Sequence, residues 1–261
     1  MKKVVLFLIV LVFFIISFLY IKYENDNVVA VIGAMDCEIS ELGAALKKNQ
    51  IHIHSGHSVI KGKIGKYNVV VAKSGVGKVN AGSITQYIID KYHPKYIVNI
   101  GLAGSLDKGV YLGDILLADK MVQHDFDTSA FGYAKGYMST GKDKDRPTVY
   151  KTDAKLSEHY KKELEKNKNI KHIYVGMVAT GDCFVSNVKD KDSIKKYFGA
   201  NAVDMESAAV AQVAQKNNIP IVVIKNISDA KNDNADEYAK NEDFYGKELA
   251  KTISKMLESD K

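Results

Sequence analysis

One arginine and two cysteines are all that 261 residues contain, and these scarcities exclude whole classes of protein. Cys37 and Cys183 are too few for a disulfide framework, and neither lies in a CxxC or Cys/His spacing that would hold zinc. No metal is implied, and no cofactor. Arg146 stands alone, every other one of the 37 basic residues being lysine. Recognition of nucleic acid leans on arginine forks, so nucleic-acid binding is not expected despite the formal charge of +6. The lysines are interleaved with acids along the whole chain, which is the pattern of a solvated surface. His52, His54 and His57 fall in a stretch that alternates like an exposed strand, and read as surface side chains rather than metal ligands. Internal repeats and low-complexity segments are absent too.

What is present begins with an apolar run. Lys2 and Lys3 precede an unbroken stretch from Val4 to Ile21 whose only polar member is Ser17. As a helix it would be about 27 Å long, enough to span hydrocarbon. Its exit, Ser17-Phe18-Leu19-Tyr20-Ile21-Lys22, offers no small-x-small cleavage site, and the first cysteine is too distant for a lipoprotein signal. An uncleaved signal-anchor is expected, with a cleaved secretory signal as the alternative. The lysine pair on its amino side places the catalytic domain outside the cytoplasm, tethered to a bacterial membrane and facing the periplasm or cell surface. Residues 1–27 thus read as anchor and linker, and residues 28–261 as one catalytic domain.

Within that domain the first strand, Val28 to Ile32, is continuously apolar, as a strand covered on both faces should be. Further strands are expected at Tyr67 to Ala72, Tyr96 to Ile100, Asp114 to Ala118, Ile173 to Ala179 and Ile221 to Ile227. Helical spacing of apolar residues marks Cys37 to Leu46, Lys78 to Lys91, Lys155 to Glu165, Ser193 to Phe198, Glu206 to Asn217 and Phe244 to Met256. Alternating strands and helices predict a three-layer α/β/α sandwich around a mixed sheet. Asp125 to Pro147, rich in Gly, Lys and Asp, reads as a long functional excursion.

Ligands of such sheets bind outside the carboxyl ends of the strands. Three of these ends are glycine-rich: Gly33-Ala34-Met35-Asp36-Cys37-Glu38, Ser74-Gly75-Val76-Gly77-Lys78 and Gly101-Leu102-Ala103-Gly104. Gly77-Lys78 looks like the tail of a phosphate-binding loop, but Val79 and Ala72 break that motif. Val203-Asp204-Met205-Glu206 and Asn226-Ile227-Ser228-Asp229 both finish in a carboxylate. Taken singly, Glu206 or Asp229 could be a helix-capping acid. Together with Glu38 they put three acids on one edge of the sheet, as general acid/base sites require.

The ordered series Ile32-Gly33-Ala34-Met35 with Glu38, Ser74 to Val79, His124 to Asp127 with Ala130 to Tyr133, Gly181-Asp182-Cys183-Phe184, Met205-Glu206 and Ile227-Ser228-Asp229 resembles the methylthioadenosine/S-adenosylhomocysteine nucleosidases. These belong to the nucleoside phosphorylase fold. The resemblance runs from about Val28 to the C-terminus and implies hydrolysis of the N-glycosidic bond of an adenine nucleoside: 5′-methylthioadenosine, S-adenosylhomocysteine or 5′-deoxyadenosine. It implies that Asp229 protonates N7 of adenine with help from Ser228, that Glu38 activates the attacking water, and that Glu206 binds the ribose hydroxyls with Met205 packed on the sugar. It further implies that Phe184 stacks on the purine, that the Val185 backbone reads its edge, and that Met35, Ala103 and Gly104 line the substrate site. Phe131 would reach into the neighbouring subunit's site, so a homodimer is expected. Leu102 replaces the family's usual Ser or Thr, and Lys225 replaces an Arg near the attacking water, keeping the charge but not the fork. The aromatic contribution of the covering helix around Asn234 to Tyr238, which reads as shorter than usual, has no assigned place.

Two other readings compete. A phosphate-dependent purine nucleoside phosphorylase would need arginines aimed at the dianion, and Arg146 next to Pro147 is the sole candidate. A surface-displayed adhesin binding polyanions would suit the anchor and the lysine excess, and could coexist with catalysis.

Overall fold

The computed structural model describes residues 11–13, 27–138, 143–230 and 235–260. The expected span Val4 to Ile21 lies outside them except for the exposed helical residues Leu11 to Phe13. Among the described residues no helix is long and apolar enough to cross a membrane.

Strand β1 (Val28–Gly33) is buried at every position and forms the middle of the sheet. It pairs in parallel with β4 (Tyr67–Lys73) on one side and β5 (Tyr96–Ser105) on the other, so that Val29 lies between Val69 and Tyr96. Beyond β4 lie β3 (His57–Ile64) and β2 (Lys47–His54), an antiparallel hairpin. Its tip, Ser55-Gly56, has positive φ at both residues, which suits the right-handed twist of a hairpin. Of the three histidines expected to decorate a surface strand, His52 is exposed, while the other two pack this hairpin onto a helix: His54 stacks on Tyr87 at 3.6 Å, and His57 Nε2 lies 3.3 Å from Ser83 Oγ.

On the other side the sheet curls shut. β5 pairs with both β10 (Ile221–Asp229) and β9 (Ala202–Asp204), and β10 returns through β6 (Ile115–Gln123) and β8 (Ile173–Thr180) to β9. The short β7 (Val149–Lys151) is added to β6. Closure brings the carboxyl ends of β5 and β10 against those of β8 and β9, which run the opposite way, so that Gly104 pairs with Val203 and Thr180 with Asp204. β6 extends five residues beyond the expected end at Ala118.

Helices cover both faces. α2 (Lys78–Tyr92) and α5 (Ser207–Lys216) bury Ile84, Ile88, Ala208 and Val210 against one face. α1 (Asp36–Ala45), α3 (Ala154–Glu165) and α6 (Ala235–Ser259) bury Leu42, Leu164, Leu249 and Ile253 against the other. Full burial of each such Ile, Leu or Val side chain contributes roughly 1.5–3 kcal/mol. Two helices are longer than expected. α4 (Val188–Phe198) starts five residues before Ser193, capped by Asn187, whose side chain accepts from the Asp190 N–H at 2.9 Å. α6 joins the segment around Tyr238 and the stretch from Phe244 to Met256 into one 25-residue helix; Asn234, in the same expected segment, lies outside the described residues.

Candidate active site

α1 begins where Met35 is still extended, at φ −121° and ψ 162°, and Asp36 and Glu38 lie in its first turn, where negative charge meets the helix dipole favourably. Glu38 is 3% exposed. Its Oε2 accepts from the backbone N–H groups of Ala34 (2.5 Å) and Met35 (3.0 Å), and Oε1 accepts from Leu102 N–H at 2.9 Å. Leu102, which brings no polar side chain, thus still contributes through its backbone. Gly101 makes the approach possible: a Cβ there would lie 2.8 Å from Glu38 Oε1 and 3.1 Å from Lys225 Nζ. Burial pushes the Glu38 carboxyl above its ordinary range, while the Lys225 charge and the three N–H donors pull the other way.

Lys225 and Asp204 form a second buried unit. Their ion pair measures 2.9 Å, with each side chain 1% exposed. Thr180 Oγ1 donates to Asp204 Oδ1 at 2.5 Å, and the Ser207 hydroxyl and N–H both donate to Oδ2. Burial opposes ionisation of Asp204, but the Lys225 charge and these hydroxyls outweigh it and hold the carboxyl below its ordinary value. Burial likewise works against the Lys225 ammonium, and Asp204, Glu206 and Glu38 together raise it instead. The lysine at this position therefore neutralises, from behind, a cluster of carboxylates that line the cavity.

Glu206 sits at the N-cap position of α5 but makes no side-chain cap there. Its Oε1 accepts from Gly77 N–H at 2.9 Å, so the acid is aimed across the cavity rather than at its own helix. Burial, and then the negative charge of Asp204, push it up to about 8. Asp229 closes β10 opposite Gly104. Ser228 Oγ donates to its Oδ1 at 3.2 Å, and Lys191 Nζ donates to its Oδ2 at 2.8 Å.

The acids converge on one cavity. Glu38, Glu206, Asp229, Met35, Ala103, Gly104, Phe184, Val185, Met205 and Ser228 all line it. Lys225 stands behind Glu38 and Asp204. Phe131 does not line this cavity; it is 80% exposed on the short 3₁₀ turn Ser129–Phe131. The phosphate-loop lookalike is a strut: Lys78 Nζ pairs with Asp125 Oδ1 at 2.6 Å, and Lys78 N–H donates to Asp182 Oδ1 at 2.7 Å, bracing the segment that presents Phe184.

Sequence reasoning left three contributors unassigned. Tyr238 lines the cavity, meets Phe184 edge-on with ring centroids 5.1 Å apart, and directs its hydroxyl at Met35 Sδ from 3.6 Å. Asp204 lay inside a motif already singled out, but nothing in its spacing told that it faces down to Lys225. Lys191 sits in a run of lysines and aspartates that reads as solvated surface, yet it is fully buried.

The profile of the Phosphorylase superfamily matches residues 28–259, which fixes the class. A curated 5′-methylthioadenosine/S-adenosylhomocysteine nucleosidase from Staphylococcus haemolyticus is 36% identical over 234 residues, covering 88% of this chain and 97% of its own length. One from Buchnera aphidicola is 35% identical over 238 residues, with the same coverage. Among solved structures, the Neisseria meningitidis nucleosidase in complex with methylthio-immucillin-A aligns with a TM-score of 0.82 at 30% identity, covering 90% of this chain and 100% of that one. The Colwellia psychrerythraea nucleosidase in complex with adenine aligns with a TM-score of 0.80 at 30% identity, covering 88% and 94%. The chain belongs to the phosphorylase superfamily and, within it, to the 5′-methylthioadenosine/S-adenosylhomocysteine nucleosidases.

Proposed function

We propose that the chain hydrolyses the N-glycosidic bond of 5′-methylthioadenosine, S-adenosylhomocysteine and 5′-deoxyadenosine, releasing adenine. The observation that carries hydrolysis over phosphorolysis is the seat of Glu38. A ring of three backbone N–H groups, which could otherwise cradle an anion, is filled by the chain's own carboxylate. Phosphate entering beside it would meet like charge, whereas water meets an acceptor able to take its proton. The sole arginine, Arg146, is 82% exposed and paired with Asp143, far from the role a phosphorylase would give it.

In this reading Asp229 protonates N7, so that the purine departs neutral, and Glu38 orients and deprotonates the attacking water. Glu206, largely protonated at pH 7 with its value near 8, both donates to and accepts from the ribose hydroxyls. Phe184 and Tyr238 enclose the purine, the Val185 backbone reads its edge, and Met35 and Met205 pack on the sugar and its 5′-substituent. Positive charge developing at the anomeric carbon is met by the carboxylates on the cavity wall.

The test is adenine release by the purified full-length protein from 5′-methylthioadenosine, with and without phosphate. Turnover independent of phosphate is expected, and Glu38→Gln lowers it at least ~100-fold. Turnover that requires phosphate, or an unimpaired Glu38→Gln variant, overturns the reading.

We also propose that the protein is a homodimer and that residues 1–27 tether the domain to a membrane, facing away from the cytoplasm. The apolar run and its lysine pair support the tether, which membrane fractionation with protease access to intact spheroplasts checks.

A further inference from the structure

Lys191 is fully buried, and an isolated buried ammonium costs several kcal/mol. It lies in the first turn of α4, where the helix dipole disfavours a cation, and α4 follows directly on the segment that carries Phe184 and Val185. Its Nζ donates to Asp229 Oδ2 at 2.8 Å and to the Ala230 carbonyl at 3.0 Å, with the Lys191 side chain 0% and the Asp229 side chain 4% exposed. A lysine placed against both burial and dipole, and directed at the proposed proton donor, calls for a reason in the chemistry. We propose that Lys191 is a positioning residue of leaving-group protonation, its ammonium holding the Asp229 carboxylate that remains once the proton has passed to N7.

The proposal rests on the reading of Asp229 as the proton donor. In that step the O–H bond of Asp229 breaks, an N–H bond forms at N7, and the C1′–N9 bonding pair leaves with the purine. Asp229 is left as a buried anion. Among the described residues, Ser228 faces that anion with a hydroxyl, Gly104 brings backbone from β5, and the other charged groups lining the cavity, Glu38, Asp204 and Glu206, are acids. Lys225 neutralises the Glu38–Asp204 side. Among the described residues Lys191 puts a cation in contact with Asp229, and it makes proton transfer more favourable by stabilising the product charge. The same contact opposes reprotonation of Asp229 as pH rises, so it also sets the alkaline edge of activity.

The experiment measures kcat and kcat/KM for 5′-methylthioadenosine from about pH 5 to about pH 10 in the full-length protein and in Lys191→Met, Lys191→Arg and Asp229→Asn, with thermal unfolding as the check on folding. Lys191→Met is expected to lose kcat at least ~10-fold below the alkaline limb, with KM changed far less. Its alkaline limb moves to higher pH by about one unit or more, because the carboxyl keeps its proton longer without the ammonium. Lys191→Arg keeps the charge and the original limb. If Lys191→Met does not fold, Lys191→Gln, which still offers the Ala230 carbonyl a donor, decides the question by the same limb. A Met or Gln variant with unchanged kcat and limb overturns the proposal, as does equal loss in Met and Arg with the limb unmoved, which marks a purely structural tie. An active Asp229→Asn variant instead removes the proton donor on which the proposal stands. An inactive Asp229→Asn beside an unaltered Lys191→Met defeats the role of Lys191 alone.

Discussion

Asp204 and Glu206 stand two residues apart at the entrance to α5 and reach opposite protonation states. Asp204 has Lys225 at 2.9 Å and two hydroxyl donors, and stays ionised. Glu206 has one N–H donor and a carboxylate for a neighbour, and is raised from the ordinary 4.5 to about 8. The native state therefore holds a proton that the unfolded chain gives up from about pH 4.5, and stability falls as pH climbs from there through about 8. Glu206→Gln removes this titration. The variant is expected to unfold at least about 3 °C above the parent at pH 8.5, with the two converging near pH 5, while its KM for 5′-methylthioadenosine rises through the lost ribose contact. Melting curves across that range decide it, since parallel curves for the two proteins would remove Glu206 as the source of the slope. Stability is here given up at the place where a substrate diol is to be bound.

At the scale of elements, the register of β5 against β10 is what brings Asp229 over Gly104. A Cβ at Gly104 would lie 2.7 Å from Asp229 Oδ2, the oxygen that Lys191 also holds. Gly104→Ala is therefore expected to move the carboxylate by a fraction of an ångström and to lower kcat by roughly 10- to 100-fold, with the melting temperature little changed because the side chain, not the strand, gives way. An alanine variant with parental kcat would show that this oxygen needs no fixed place. Strand ends of this kind were legible in the sequence because their signals are local: an apolar run, then glycines, then an acid. Closure of the sheet was not legible, since β9 is three residues long and is recognised only by its partners β5 and β8. Nor was the early start of α4, where residues 188–193 carry more charge than apolar periodicity and a single Asn187 cap begins the helix. Lys191 stayed hidden for the same reason: from the sequence alone a lysine among aspartates is surface. Tyr238 was obscured because α6 reads as two segments with polar residues between them. The acids of the site announced themselves by position, while the groups that set their charge states lie on neighbouring elements and are found only in three dimensions.

For the whole molecule, the open question is what covers the apolar surface outside the cavity. Phe131 and Val79 are each about 80% exposed, and Val76, a cavity-lining residue just before α2, is half exposed. Large exposed apolar side chains suit a surface that a partner covers, and the two-fold dimer proposed above would cover it with a copy of the same chain. In the proposed dimer the aromatic turn Ser129–Phe131 would reach the other subunit's site and close its 5′-substituent end, whose own walls include Met35 and Phe184. The protein is expected to sediment at twice its 28.9 kDa chain mass at micromolar concentration. Phe131→Ala should raise KM for 5′-methylthioadenosine several-fold, on the order of 0.5–1.5 kcal/mol for one lost aromatic contact, while leaving kcat near the parental value, because the proton donor and the water-holding acid are both supplied by one chain. A mixed dimer separates the two roles: pairing Phe131→Ala with Asp229→Asn leaves one site with an intact acid and a parental Phe131 from its partner, and that site should recover about half of the parental turnover at the parental KM. A fully active monomer, or mixed dimers whose KM stays at the Phe131→Ala value, would place Phe131 outside its partner's site.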